Sequence, residues 1–314
     1  MALSGKRLGG WQAGPRERIR NLALTAGLTT AMITPFAGDG SVDYGRMARL
    51  AIHLVENGHD GLLVTGTTGE SPTLTDAEKL ALYSTVLEAV GGRAVVIAGT
   101  GTYDTRHSVE MSKRAADVGV DGLMAVTPYY SRPSQAGLLA HFVAIADATD
   151  LPLMIYNIPS RTARLIEVET LAEMAQHPNI AATKDAVGDL EFTKASMELL
   201  PDDFMVLSGD DSATLPMMEL GGQGVVSVAG HLAGRQIKRM IEAHRAGDAP
   251  EAWRLHDGLT PLFDACFIEP NPMSTKAGLN ALWEPVGDPR LPLVPASPET
   301  RDMVVAAVGR AQRL

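Results

Sequence analysis

The chain is 314 residues long and carries 37 acidic against 27 basic side chains, a formal net charge of −10, which excludes an electrostatic footprint for nucleic acid or an anionic membrane surface. One cysteine, Cys266, rules out an intrachain disulfide and a cysteine-built metal cluster, and the eight histidines form no HExxH-type arrangement, so no metal is expected. No apolar run approaches the roughly 18 residues of a membrane span, and the N-terminus lacks the basic-then-apolar order of a secretory signal, so a soluble cytoplasmic protein acting on small molecules is expected.

Residues 1–25 carry Lys6, Arg7, Arg16, Arg18 and Arg20 among several glycines without sustained periodicity, and read as a flexible extension. From residue 28, short apolar runs alternate with longer segments of helical spacing, the βαβα pattern. Candidate strands are 28–34, 61–66, 94–99, 122–127, 152–157, 180–184, 204–208 and 224–228. They are continuously apolar rather than alternating, as parallel strands covered by helices must be. Between them lie amphipathic stretches such as 44–57, 75–90 and 105–118, with Thr75 or Asp76 and Asp104 or Thr105 placed to cap helix N-termini.

A weak repeat precedes three strands: Gly58-His-Asp-Gly-Leu62, Gly119-Val-Asp-Gly-Leu123 and Gly221-Gly-Gln-Gly-Val225. Its first glycine is placed to end a helix and turn the chain into the sheet. Eight such units in one stretch of this length predict an α/β fold of the (β/α)8 TIM-barrel class over residues 26–246. A doubly wound sheet is disfavoured because Gly99-Thr-Gly101 lacks the third glycine of a dinucleotide fingerprint. Helical segments 250–265, 272–282 and 298–312, separated by a Pro-rich linker at 285–298, predict a small C-terminal helical domain over 247–314.

A TIM barrel carries its chemistry at the C-terminal ends of its strands. Here those ends hold Gly66-Thr-Thr-Gly-Glu-Ser71, Pro128-Tyr-Tyr-Ser-Arg-Pro133, Tyr156-Asn-Ile-Pro-Ser-Arg-Thr162, Lys184 and Ser208-Gly-Asp-Asp211. Lys184 closes the apolar run Asn179-Ile-Ala-Ala-Thr-Lys. Read alone, it is either an amine nucleophile kept neutral by burial or a lysine whose stem packs while its head reaches water. Thr67 and Thr68 read equally as turn residues, Tyr130 as a rim aromatic and Arg161 as a solvated cation. Their gathering around one mouth favours the chemical readings.

The motifs GTTGES, VTPYYSRPS, YNIPSRT, TKDA and SGDD, in this order and spacing, resemble the pyruvate-dependent class I aldolases of the N-acetylneuraminate lyase superfamily, and among them the dihydrodipicolinate synthase family, over residues 26–314. The resemblance implies that Lys184 forms a Schiff base with pyruvate, with no cofactor beyond that covalent imine. It implies Tyr156 as proton donor and acceptor, with Thr67 and Tyr130 as relay partners and Tyr130 reaching in from a neighbouring subunit. Thr68 then binds the pyruvate carboxylate, Val226 and Gly209 contact the keto acid, and Arg161 receives the carboxylate of L-aspartate 4-semialdehyde. The implied reaction is 4-hydroxy-tetrahydrodipicolinate synthesis, in diaminopimelate and lysine biosynthesis, by a homotetramer built as a dimer of dimers.

Sialic-acid and 2-keto-3-deoxy sugar-acid aldolases share the lysine and tyrosine but generally lack arginine at the PSRT position, and a guanidinium fork suits a carboxylate better than a polyol. An inactive regulatory barrel would be expected to have lost Lys184, Tyr156 or Thr67. A metal-dependent aldolase would need histidines near Asp210 and Asp211. The resemblance also suggests a lysine-inhibition site, but Asp76, Lys79, Tyr103 and His107 replace the histidine, asparagine and glutamate of the inhibited pattern while Ser71 and Tyr129 are retained. Weak or absent feedback by lysine is therefore expected.

Overall fold

A computed structural model describes residues 26–314. The extension expected over 1–25 lies outside the described residues. Eight parallel strands, β1 (Gly27–Ala31), β2 (Gly61–Val64), β3 (Val95–Gly99), β4 (Gly122–Val126), β5 (Leu153–Asn157), β6 (Ile180–Asp185), β7 (Met205–Ser208) and β8 (Gly224–Ser227), close in sequence order, β8 pairing back onto β1. Outside them run α1 (Tyr44–Glu56), α2 (Asp76–Val90), α3 (Thr105–Val118), α4 (Gln135–Ala146), α5 (Pro159–Thr162), α6 (Val168–Met174), α7 (Leu190–Leu199), α8 (Thr214–Glu219) and α9 (Gly230–Arg245). The chain ends in α10 (Ala249–Ala265), α11 (Met273–Leu282) and α12 (Pro298–Ala311), as the helical spacing predicts.

Period-2 geometry explains why the strands read as continuous apolar runs. Leu63, Ile97, Met124, Met154, Ala182, Leu207 and Val226 fill the barrel interior, whereas their neighbours Leu62, Val96, Leu123, Leu153 and Val206 pack outward under the helices. The first strand stops at Ala31 rather than at 34. Met32 and Ile33 stay fully buried in the outer core, so the apolar run outlasts the pairing. Two residues beyond Met154 and Ala182 on the same inward face come Tyr156 and Lys184, directly paired in register at the top of the barrel.

Capping follows the sequence closely. Thr75 forms a reciprocal capping box with Glu78 at the start of α2, and the Asp104 carboxylate accepts from the Arg106 N–H at the start of α3. The strand-entry repeat has a physical basis at the opposite rim. Asp60 accepts the Leu28 N–H of β1 at 2.9 Å, Asp121 the Val96 N–H of β3 at 2.8 Å, and Gln223 the Val206 N–H of β7 at 2.7 Å. Each polar side chain satisfies the amide of the second residue of the preceding strand. The glycine two positions earlier has φ between +91° and +111°, a left-handed turn that a side chain would strain.

Candidate active site

Among the described residues five non-glycine residues have positive φ, Thr65, Glu70, Tyr130, Arg132 and Ala163, and all follow β2, β4 or β5 at the C-terminal face. Such conformations cost on the order of 1–3 kcal/mol each and persist only where surrounding contacts enforce them. Thr65 illustrates the enforcement. Its hydroxyl bonds the Tyr83 phenol at 2.8 Å and the Gly99 carbonyl at 3.0 Å, which fixes the path of the GTTGES turn.

A cavity of about 640 Å³ opens at this face, within the range of small-molecule sites. Thr67, Tyr156, Ile158 and Arg161 line it together with Ser71, Asp76, Lys79, Tyr103, His107 and Tyr129. Lys184 does not line the cavity directly. Its Nζ lies 4.2 Å from the centroid of the Tyr156 ring, behind the phenol that does.

Among the described residues three lysines are buried, Lys79, Lys184 and Lys276, and their surroundings separate them. Lys276 Nζ sits 2.7 Å from the buried carboxylate of Glu70 and over the Phe36 ring, a paired charge outside the barrel. Lys79 is on α2 and lines the cavity outside the barrel strands. Lys184, 4% exposed, stands inside the barrel with no ion pair among the described residues. Desolvation lowers its pKa to about 8, with Arg161 adding to the lowering and Asp211 opposing it. An ordinary lysine is neutral in about one molecule in three thousand at pH 7, whereas a pKa of about 8 raises that to about one in ten.

Tyr156, also 4% exposed, has its pKa raised to about 12, chiefly by desolvation; Arg161 and a hydrogen bond with the Thr67 side chain act in the opposite direction. It therefore holds its proton at neutral pH, next to an amine poised to lose one. Gly209 makes room for the amine. A Cβ there would lie 3.1 Å from Lys184 Cε and 2.7 Å from Ala186 Cβ, so any larger residue would push the lysine stem. Val226 is buried beside Tyr156 on the inner face.

Thr68 is buried beside Thr67, and the backbone N–H groups of both make no hydrogen bond among the described residues. They remain available to an anion, as turn amides often are. Arg161 projects from the short α5 into the mouth with no ion pair among the described residues. Tyr130 does not join this cluster within the chain; its side chain is 95% exposed. Asp211 is fully committed, accepting from the Ser227 hydroxyl and from the Val228 and Ala229 N–H groups at 3.0 and 2.9 Å. It anchors the end of β8, and among the described residues no cluster of three or more histidine, cysteine or carboxylate side chains is placed to hold a metal.

Three contacts had no signal in the sequence. Glu70, read only as part of the GTTGES motif, is tied by Lys276 and by the Arg290 N–H at 2.8 Å. Asn271, 203 positions away in sequence, donates from Nδ2 to the Thr68 hydroxyl at 2.8 Å.

Comparison with known proteins places the chain in a family. The 4-hydroxy-tetrahydrodipicolinate synthase of Moorella thermoacetica is 52% identical over 281 residues, covering 90% of this chain and 96% of that one. A dihydrodipicolinate synthase from Bacillus anthracis superposes with a TM-score of 0.88 at 43% identity, covering 90% and 97%. The enzyme of Cyanidioschyzon merolae solved with lysine bound gives 0.89 at 45% identity, covering 92% and 98%. The model of the Dihydrodipicolinate synthetase family matches residues 24–311, and with that match over nearly its whole length the chain belongs to this family.

Proposed function

We propose that the chain catalyses the Schiff-base condensation of pyruvate with L-aspartate 4-semialdehyde to 4-hydroxy-tetrahydrodipicolinate, the entry to diaminopimelate and lysine synthesis. The observation that carries the mechanism is the unpaired Lys184 nitrogen, buried inside the barrel against the Tyr156 ring. The neutral amine adds to the ketone carbon to give a carbinolamine. Loss of water, its oxygen protonated by Tyr156, leaves an iminium. That iminium is an electron sink, so a methyl proton departs and the resulting enamine carbon attacks the aldehyde. Ring closure by the substrate amine onto the imine carbon then releases Lys184.

Thr67 supports proton return to Tyr156 through their hydrogen bond, and Tyr130 of a neighbouring copy completes the relay. Thr68 receives the pyruvate carboxylate and Arg161 that of the semialdehyde, whose planar shape matches a guanidinium fork. Val226 and Gly209 shape the keto-acid pocket. No cofactor beyond the lysine imine enters this scheme; a dimer is the minimal assembly it requires for Tyr130, and a dimer of dimers is the tetramer we propose. The deciding comparison is turnover with aspartate 4-semialdehyde against cleavage of sialic acid and 2-keto-3-deoxygluconate. Preference for a sugar acid would defeat the substrate assignment while leaving the imine chemistry intact.

Imine formation should accelerate as pH rises through about 8 and level off above it, because only the neutral amine attacks. Stopped-flow measurement of the pyruvate adduct at several pH values checks this; a flat profile from pH 6 to 9 would contradict it.

The cavity residues Asp76, Lys79, Tyr103 and His107 support weak or absent feedback by lysine. Of the two carboxylates lining the cavity, Asp76 is engaged by His107 Nε2 at 3.1 Å and by Arg114 at 3.4 Å, Asp104 caps α3 through the Arg106 N–H, and Lys79 adds a buried cation. A ligand ammonium would meet cations where it needs an anion. Turnover should change by less than about twofold on adding L-lysine at millimolar concentration; inhibition in the micromolar range would refute this.

A further inference from the structure

We propose that Asn271, in the loop between α10 and α11, is a positioning residue that aims the Thr68 hydroxyl proton at the keto-acid carboxylate. The inference rests on the reading of Thr68 as the receptor of that carboxylate. A hydroxyl has one proton and two acceptor lone pairs. Asn271 Nδ2 occupies one lone pair of Thr68 Oγ1 at 2.8 Å, and an amide nitrogen cannot accept in return. Among the described residues the Thr68 hydroxyl donates to no protein acceptor, so its proton remains for a ligand.

The side chain serves little else. Asn271 is 7% exposed and its Oδ1 has no hydrogen-bond partner, so the bond to Thr68 is the side chain's single contact of this kind among the described residues. A buried polar group with one satisfied end is costly, which marks that end as the reason for the residue. The C-terminal helices grip the same turn a second time through Lys276 and Glu70. The turn that carries Thr67 and Thr68 is thus held in place by a distant part of the chain, and only the Asn271 contact reaches a group that touches substrate.

The test uses Asn271→Ala, Asn271→Asp and the double variant Thr68→Val/Asn271→Ala in the full chain. Asn271→Ala should raise the KM for pyruvate about tenfold, with kcat and the KM for the semialdehyde changed less than about twofold. Asn271→Asp keeps the volume but accepts the Thr68 proton and repels the substrate carboxylate, so its pyruvate KM should rise further, by about 100-fold. In the Thr68→Val background, Asn271→Ala should add nothing, because it acts through the missing hydroxyl. Unchanged pyruvate KM in the single variants would overturn the proposal, as would losses that multiply in the double variant. If Asn271→Ala does not fold, the Asp variant decides. A wild-type protein that forms no pyruvate imine would instead sink the function proposed above, whatever the variants do.

Discussion

Lys184→Met should reduce the condensation to the rate seen without protein, while the melting temperature stays level or rises by a few degrees. The loss follows because neither other buried lysine stands on a barrel strand against Tyr156: Lys276 is held by Glu70, and Lys79 is on α2. The stability gain follows from the sign of the pKa shift. The folded state holds the Lys184 amine at about 8, below its ordinary value of 10.5, so the folded chain binds fewer protons between those values and stability rises with pH across that window. Below about 8 the folded chain carries a buried ammonium, a full cost of roughly 3 kcal/mol by the shift. Methionine has similar length and no charge, and removes it. Turnover assays beside thermal melts at pH 7 check both halves. Retained turnover would mean another nucleophile, and a melting point several degrees lower would mean that the lysine contributes to stability.

Tyr156→Phe should lower kcat by on the order of 10²–10⁴-fold, the usual range for a positioned acid–base group, with little change in fold. Tyr156 pairs with Lys184 across the β5–β6 register, its ring centroid 4.2 Å from the lysine nitrogen, and that ring remains in the phenylalanine variant to fill the interior beside Met154 and Val226. What disappears is the proton held by a raised pKa and the bond with Thr67. Imine trapping should slow with turnover, since dehydration of the carbinolamine needs the same proton. Near-wild-type kcat in steady-state assays would remove Tyr156 from the mechanism.

The barrel was legible because most strands are apolar on both faces, which leaves a run such as Leu62-Leu63-Val64 no solvent side and forces helices over it. Lys184 and Tyr156 were legible for a related reason: each is a chemically active side chain at the end of such a run, two residues beyond an interior one. Strand ends were less so. Met32 and Ile33 remain buried after pairing stops, and hydrophobicity does not distinguish core from ladder. Asn271, Glu70 with Lys276, and the role of Asp211 as an anchor for β8 could not be read at all, since each depends on contacts between segments far apart in sequence. Tyr130 is the reverse case. The motif marks it, but within one chain it faces outward, because its contribution belongs to a neighbouring copy under the proposed mechanism.

The most direct measurement is reduction of the protein with borohydride in the presence of pyruvate, followed by peptide mapping of the adduct. The account predicts one modified residue, Lys184, and loss of modification in Lys184→Met. Modification at Lys79 or Lys276, or no pyruvate-dependent adduct, would contradict it.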